Sequence, residues 1–251
     1  MIRVLTYIFR HNSFPAAISH LFQAFFFQLY KRTTGGVVTK RIFNGKQLFL
    51  FPNCNVSTFF VYTDQPDRNE ITKLRQILKP GDVFLDIGAN VGSYSVSLMD
   101  ITRDIIAFEP HPFTANRCRM NFLLNGMPAD AVKETALSSG NGEVYFTDKG
   151  HSSTVNSISK EGEGIRVAMQ TLDHFISHSP ALTPERGYAL KIDVEGFEKD
   201  VLNGAAVFLK DWNIKGMILE CFEPAEIFPI LERAGFRHFE KCSENNYFIT
   251  R

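Results

Sequence analysis

The chain has 251 residues, 44% apolar and 22% charged, which suits one large globular domain or a domain with a small extension and excludes a low-complexity polymer. Lys plus Arg equals Asp plus Glu at 27 each, so no overall field favours a nucleic-acid backbone and no nucleic-acid partner is expected. Phenylalanine reaches 24, which promises a substantial core. Cys54, Cys118, Cys221 and Cys242 follow no zinc spacing and read as free thiols of a reducing compartment.

The first pattern is FPAAISHLFQAFFFQLY, 14–30. Ser19, His20, Gln23 and Gln28 interrupt it, so it is not an unbroken apolar run of 18, and no small-residue cleavage site follows it, which makes a span or signal the least favoured reading. It reads as a helix packed on the protein or a partner, with a peripheral membrane contact as the alternative. A small-residue break follows at 33–38. RIFNGKQLFLF, 41–51, places Asn44-Gly45 between apolar runs and predicts a hairpin. Val56 to Tyr62 is expected to be a further strand, which makes 1–68 a helix plus a small β-rich extension. A helix over 69–78 follows from the spacing of Ile71, Leu74, Ile77 and Leu78, and Pro80-Gly81 ends it.

From Val83 the pattern alternates. Strands are expected at 83–86, 104–108, 131–136, 143–146, 166–168, 188–192, 216–220, 237–239 and 247–250. Helices are expected at 92–99, 113–125, 171–178, 198–209 and 224–234. The segment 151–164 reads as a polar loop. Alternation of this kind predicts an α/β fold with a mostly parallel sheet and helices on both faces.

DVFLDIGANVG, 82–92, ends a buried strand in an acid and then runs through Gly88, Asn90 and Gly92. At the carboxyl end of a parallel strand, Asp86 faces the crevice where such sheets bind ligands. Gly88 lacks a β-carbon, which permits close approach to backbone. The run is not the Gly-x-Gly-x-x-Gly phosphate fingerprint, which disfavours a dinucleotide. The next strand, IIAFEP, ends in Glu109, 23 residues beyond Asp86. A carboxylate there accepts hydrogen bonds from ribose hydroxyls, so NAD and S-adenosylmethionine both remain open. Asp86 would repel a pyrophosphate and suits a positively charged group, which favours the sulfonium cofactor.

DVFLDIGANVGSYS, IIAFEPHPFTANRCRMNFLLNG, ALSSGNGEVYF, TLDHF and LKIDVEGFEKDVLNGAAVFL occur in an order and spacing that resembles the FkbM family of methyltransferases. The resemblance covers roughly 70–220. It implies a Rossmann-like seven-stranded methyltransferase sheet over 69–251 and S-adenosyl-L-methionine as cofactor. It further implies O-methylation of a sugar, glycolipid or small polar metabolite hydroxyl. By the same resemblance Asp86, Gly88, Asn90 and Gly92 line the cofactor pocket and Glu109 holds the ribose. Glu134 or Thr135 is expected beside the adenine, and Glu70, near the cofactor end, either caps its helix or touches substrate.

LKIDVEGFE, 190–198, puts Lys191, Asp193 and Glu195 at the same sheet edge. Asp193 is the expected general base for an alcohol, Lys191 holds or polarises the acceptor, and Glu195 binds another hydroxyl. His151, in HSSTVNS, is an alternative proton acceptor. A divalent metal on Asp193, Glu195 and Glu220 is the less favoured rival. An N-methyltransferase, a non-catalytic cofactor-binding protein and a membrane-associated scaffold are the other readings. The missing export signature and the cofactor suggest a cytoplasmic protein, peripheral to a membrane if 14–30 docks there, and a homo-oligomer remains open.

Overall fold

The computed structural model describes residues 2–146 and 164–251. His151 and most of its loop lie outside the described residues. The chain begins with two helices, α1 (Ile2–His11) and α2 (Phe14–Thr34), of which α1 was not expected from the sequence. A hairpin follows, β1 (Val38–Arg41) and β2 (Gln47–Leu50), with Asn44-Gly45 in its turn and Gly45 at φ 80°. Residues 55–62, expected as a strand, form helix α3 (Asn55–Tyr62). The hydroxyl of Thr58 donates to the Cys54 carbonyl at 2.6 Å and that of Ser57 to the same oxygen at 3.2 Å. These bonds close the first turn, while Phe60 and Val61 bury against the core. A short apolar run fits either period, and tertiary contacts decide it.

The main sheet has seven strands in the order β11-β12-β10-β9-β3-β4-β5. They are β3 (Val83–Ile87), β4 (Asp104–Phe108), β5 (Val132–Lys133), β9 (Tyr188–Ile192), β10 (Ile214–Glu220), β11 (His238–Lys241) and β12 (Asn246–Thr250). Five are parallel, and β12 and β11 close one edge antiparallel. Both β3 and β9 are buried along their whole length, as a two-face parallel sheet requires. Successive side chains of β3 alternate between two cores. Phe84 joins Ile8, Ala17, Phe27 and Leu48, so the first helices and the hairpin share a core with one sheet face. Val83, Leu85 and Ile87 join Leu202, Phe208 and Leu231 on the other.

The helices of the main unit are α4 (Arg68–Ile77), α5 (Ser93–Leu98), α6 (Pro112–Leu124), α7 (Leu172–Ser177), α8 (Glu198–Asn203), α9 (Ala206–Asp211) and α10 (Pro224–Arg233). The expected single helix over 198–209 is two, because the chain turns at Gly204-Ala205. The expected strand 131–136 also divides. β5 stays in the main sheet, and β6 (Ala136–Leu137) joins β7 (Gly142–Phe146) and β8 (Ile165–Gln170) in a separate three-stranded sheet, order β6-β8-β7. The hydroxyl of Thr135, at the break, donates to the Ala168 carbonyl at 3.1 Å and ties the two parts together.

The strand order reverses between β3 and β9. One chain of connections runs outward through β4 and β5, the other through β10. In open α/β sheets ligands bind in the crevice beyond the carboxyl ends of strands at such a switch point. Here the crevice opens between Gly88, after β3, and Asp193, after β9.

Candidate active site

A cavity of about 260 Å³ fills this crevice. Gly88, Ala89, Asn90 and Ser93 form one side, and Glu109 and Pro110 follow β4. Thr135, Ala136 and Leu137 come from the β5–β6 break, and Lys191, Asp193, Val194 and Glu195 from the end of β9. Asp67, Glu109, Asp193 and Glu195 line it, and Lys191 is the one cation among the described residues that do. An acidic lining of this kind suits a cationic ligand and opposes a pyrophosphate.

The turn after β3 is built backward from contacts. The amides of Gly88 and Ala89 donate to the Phe108 carbonyl at 3.0 and 2.9 Å, which fixes the turn onto β4. Gly88 has φ 76°, and a β-carbon there would overlap the carbonyl oxygen of Asp193. The close approach expected for a ligand is therefore made by the neighbouring backbone. Gly92, at φ 80°, faces inward, where a β-carbon would sit 2.8 Å from the Cys118 sulfur of α6. It packs α5 on α6 and does not line the cavity. Asn90 takes φ 52°, a left-handed conformation that Asn tolerates, and its own Oδ1 accepts from the Val91 amide at 2.9 Å.

Glu109 and Asn90 meet directly. The Asn90 amide donates to Glu109 Oε2 at 2.9 Å and the His111 amide to Oε1 at 3.0 Å. The carboxyl is thereby oriented, with lone pairs left over for two further donors. Burial pushes it up to about 7 against those two amides. Asp86 lies one layer deeper, fully buried and not among the lining residues. Its Oδ2 accepts from the Ser95 hydroxyl at 2.6 Å and from the Ser95 amide at 3.2 Å, which anchors the start of α5. Its Oδ1 has no hydrogen-bond partner among the described residues, and burial raises the carboxyl above its ordinary value.

At the end of β9, Lys191 Nζ donates to the Gly88 carbonyl at 2.6 Å and pairs with Asp193 Oδ2 at 3.0 Å. Burial opposes its charge, but Asp193, Asp86 and Glu109 together hold it above the usual lysine value. Burial likewise opposes ionisation of Asp193, and the Lys191 ammonium and a hydrogen bond with Glu220 outweigh it, so Asp193 is held low. Burial and the Asp193 charge push Glu220 up to about 8. The mutual repulsion and hydrogen bond of Asp193 and Glu220 favour one proton shared by the pair, with Glu220 the member pushed toward protonation. Glu195 lines the cavity at φ 55°. The loop 193–197 is held by Glu198, whose Oε1 accepts from the Val194 and Gly196 amides, each at 3.1 Å.

Thr135 lines the cavity, whereas Glu134 is exposed and pairs with Arg119 at 2.8 Å. Glu70 is buried in the first turn of α4 and borders a second cleft of about 300 Å³, with Tyr7, Arg10 and Arg68. That cleft shares Asp67 with the cavity. Asp67 was not anticipated. Its only sequence signal is its place before the α4 helix, and it takes φ 49° at the mouth. Among the described residues no group of three or more His, Cys, Asp or Glu side chains could hold a metal ion.

A glycine turn and an oriented carboxylate at the switch point of a doubly wound sheet define a nucleoside-cofactor site, and its acidic lining suits a sulfonium. Residues 86–238 match the model of the methyltransferase FkbM domain, and the chain belongs to the FkbM methyltransferase family. It is an S-adenosylmethionine-dependent methyltransferase. The chain is similar to the hexuronic acid methyltransferase AglP of Haloferax volcanii, at 25% identity over 67% of this chain and 69% of that protein. It is also similar to Methyltransferase 1 of Beauveria bassiana, at 27% identity over 50% of this chain and 59% of that one. Among solved structures it is similar to the tRNA (uracil-54, C5)-methyltransferase of Pyrococcus abyssi in complex with S-adenosyl-L-homocysteine. That match has TM-score 0.47 and 11% identity, and covers 85% of this chain and 43% of that one.

Proposed function

We propose that the protein methylates a hydroxyl of a sugar or glycan, with Asp193 taking the proton. The observation that carries this reading is the Lys191–Asp193–Glu220 cluster beside the glycine turn, which keeps one carboxylate ionised where an acceptor would enter. A relative named for hexuronic acid methylation supports a sugar acceptor.

The residues present fit the cofactor. Glu109 offers its remaining lone pairs to ribose hydroxyls, Thr135 to Leu137 wall the side opposite the glycine turn, and the lining carboxylates favour the sulfonium and ammonium charges. The bound cofactor supplies an electrophilic methyl for an in-line displacement. The protein's part is to orient the acceptor oxygen and exclude water. An acceptor hydroxyl donating to Asp193 passes its proton there as the methyl–oxygen bond forms. Lys191, fixed by the Gly88 carbonyl, holds Asp193 in place. Glu195 and Asp67 at the mouth are placed to accept hydrogen bonds from neighbouring sugar hydroxyls. We further propose that it acts in the cytoplasm, the kind of reducing compartment that its free cysteines suit.

The test is methyl transfer from labelled cofactor to hexuronic-acid glycosides and to amine analogues of the same size. Asp193→Asn is expected to lower kcat, measured at saturating cofactor, by about a hundredfold or more, a loss beyond any weakening of cofactor binding. Transfer to amines alone, or undiminished turnover by that variant, contradicts the assignment.

A further inference from the structure

Helix α2 is apolar on two opposite faces. Ala17, His20, Ala24 and Phe27 are buried against the protein, with His20 Nδ1 bonded to the Val61 carbonyl at 2.9 Å. Phe14, Ile18, Phe22, Phe25, Phe26 and Leu29 fall on the other side at helical spacing. Their side chains are 40–70% exposed. A helix apolar all round is normally covered all round. The stripe runs from Phe14 to Leu29, about 24 Å along the helix. It continues onto α1 through Phe9, whose ring lies 6.2 Å from that of Phe14, and through exposed Leu5. The patch thus spans two helices, which is more than the scattered exposed apolar residues of an ordinary surface.

Charge says what covers it. Residues 1–63 contain seven Lys or Arg and no Asp or Glu, although the whole chain is neutral. Arg10 stands in the last turn of α1, and Lys31 and Arg32 stand in the last turn of α2. A second copy docked here in two-fold symmetry would set this cationic segment against itself. Among the described residues no helix is long and apolar enough to cross a membrane. Asp64 pairs with Lys40 at 3.2 Å and lies 3.6 Å from His20, on the buried side of α2, and Asp67 and Glu70 share a cleft with Arg10. An exposed aromatic face on two helices that end in cations and carry no Asp or Glu of their own matches the anionic interface of a bilayer.

We infer that α1 and α2 form a membrane-docking face, with Phe14, Phe22, Phe25 and Phe26 entering the headgroup–acyl boundary of an anionic lipid surface. The opposite face of α2 shares a buried core with the main sheet, so docking holds the catalytic unit at the surface without a separate linker. This inference rests on exposure and charge, independently of the acceptor's identity.

The test is co-sedimentation of the full chain with phosphatidylcholine vesicles, with and without about one-third phosphatidylglycerol. The expected result is binding to the anionic vesicles only, weakened at least fivefold by about 0.5 M salt. Phe22→Ser with Phe26→Ser should weaken it at least tenfold. Both side chains are exposed, so the circular dichroism and melting of this variant should match the parent. Lys31→Glu with Arg32→Glu should reduce binding while leaving those aromatic side chains in place. No sedimentation with anionic vesicles overturns the inference, as does equal binding to neutral ones or unchanged binding by the phenylalanine variant. A dimer dissolved by the same phenylalanine changes, without vesicle binding, assigns the face to a second copy instead.

Discussion

Gly88→Ala tests the packing logic of the site most sharply. The new methyl would overlap the Asp193 carbonyl oxygen and stand 2.8 Å from its carbonyl carbon, against an optimum of about 3.5 Å or more for carbon pairs. The residue also holds φ 76°, where a side chain costs about 1–2 kcal/mol. Relief requires β3 and β9 to part at their carboxyl ends. That movement strains the bond from the Asp193 amide to the Ile87 carbonyl, 3.1 Å, and the charge-assisted bond from Lys191 to the Gly88 carbonyl, 2.6 Å. Their loss costs about 1 and about 2 kcal/mol respectively. The total is about 4–5 kcal/mol, which at about 2–4 °C per kcal/mol lowers Tm by roughly 10–20 °C. Urea denaturation followed by circular dichroism measures the stability change, and calorimetric titration measures cofactor affinity, expected to fall beyond detection. Gly140→Ala, with nothing within 4 Å of the added carbon, is the control and should stay within about 0.5 kcal/mol. A Gly88→Ala protein within about 1 kcal/mol of the parent, with cofactor affinity intact, would refute the reasoning.

Burial pushes Glu109 up to about 7 in the folded chain, from the ordinary 4.5 of an exposed glutamate in the unfolded one. A raised carboxyl contributes stability below pH 4.5 that is lost as pH rises through 7, about 3 kcal/mol in all. Glu109→Gln lacks this dependence, so the variant should gain about that much on the cofactor-free parent between pH 4.5 and 8 in paired denaturation curves, while its cofactor affinity falls about tenfold or more. A constant difference across that range sinks the burial argument. Glu220→Gln should flatten the limb near pH 8 in the pH–rate profile, because its amide donates to Asp193 at every pH; an unaltered limb means that Glu220 is not the proton carrier. Asp173 accepts from the Val207 and Phe208 amides at 2.9 Å each and so caps α9 from the neighbouring α7. Asp173→Ala should cost about 1–2 kcal/mol in urea melts and leave cofactor affinity within about twofold. A large loss of affinity would place that helix start in the site.

The parallel strands were legible because both their faces are buried and their ends carry turn chemistry. VFLDI and YALKI are apolar but for one charged residue near the carboxyl end, Asp86 and Lys191, and β3, β4, β9 and β10 occupy the expected positions. The Glu109 position was legible from distance along the chain. The roles of the glycines were less so. Gly88 and Gly92 signal a tight turn, but only the tertiary fold shows that the nearby atoms belong to Asp193 and Cys118. Helix α3 was misread because NVSTFFVY is short, β-branched and aromatic, and its hydroxyl bonds to Cys54 have no sequence period. The β5–β6 break was hidden because neither half exceeds two residues. Asp67 and Glu198 act through a left-handed turn and a loop clamp, neither of which marks the sequence. Asn121 belongs with them. It accepts from the Phe49 amide and donates to the Val91 carbonyl, 2.8 Å each, and so fastens the hairpin to the glycine turn from inside α6.

The central claim is that the acidic crevice at the β3–β9 switch point holds S-adenosylmethionine. Calorimetric titration of the purified chain with S-adenosylmethionine, S-adenosylhomocysteine and NAD tests it directly. The account predicts binding of both sulfur nucleosides, weakened by Glu109→Ala, and none of NAD. Tighter binding of NAD, or no binding of either sulfur nucleoside by a folded sample, would contradict it.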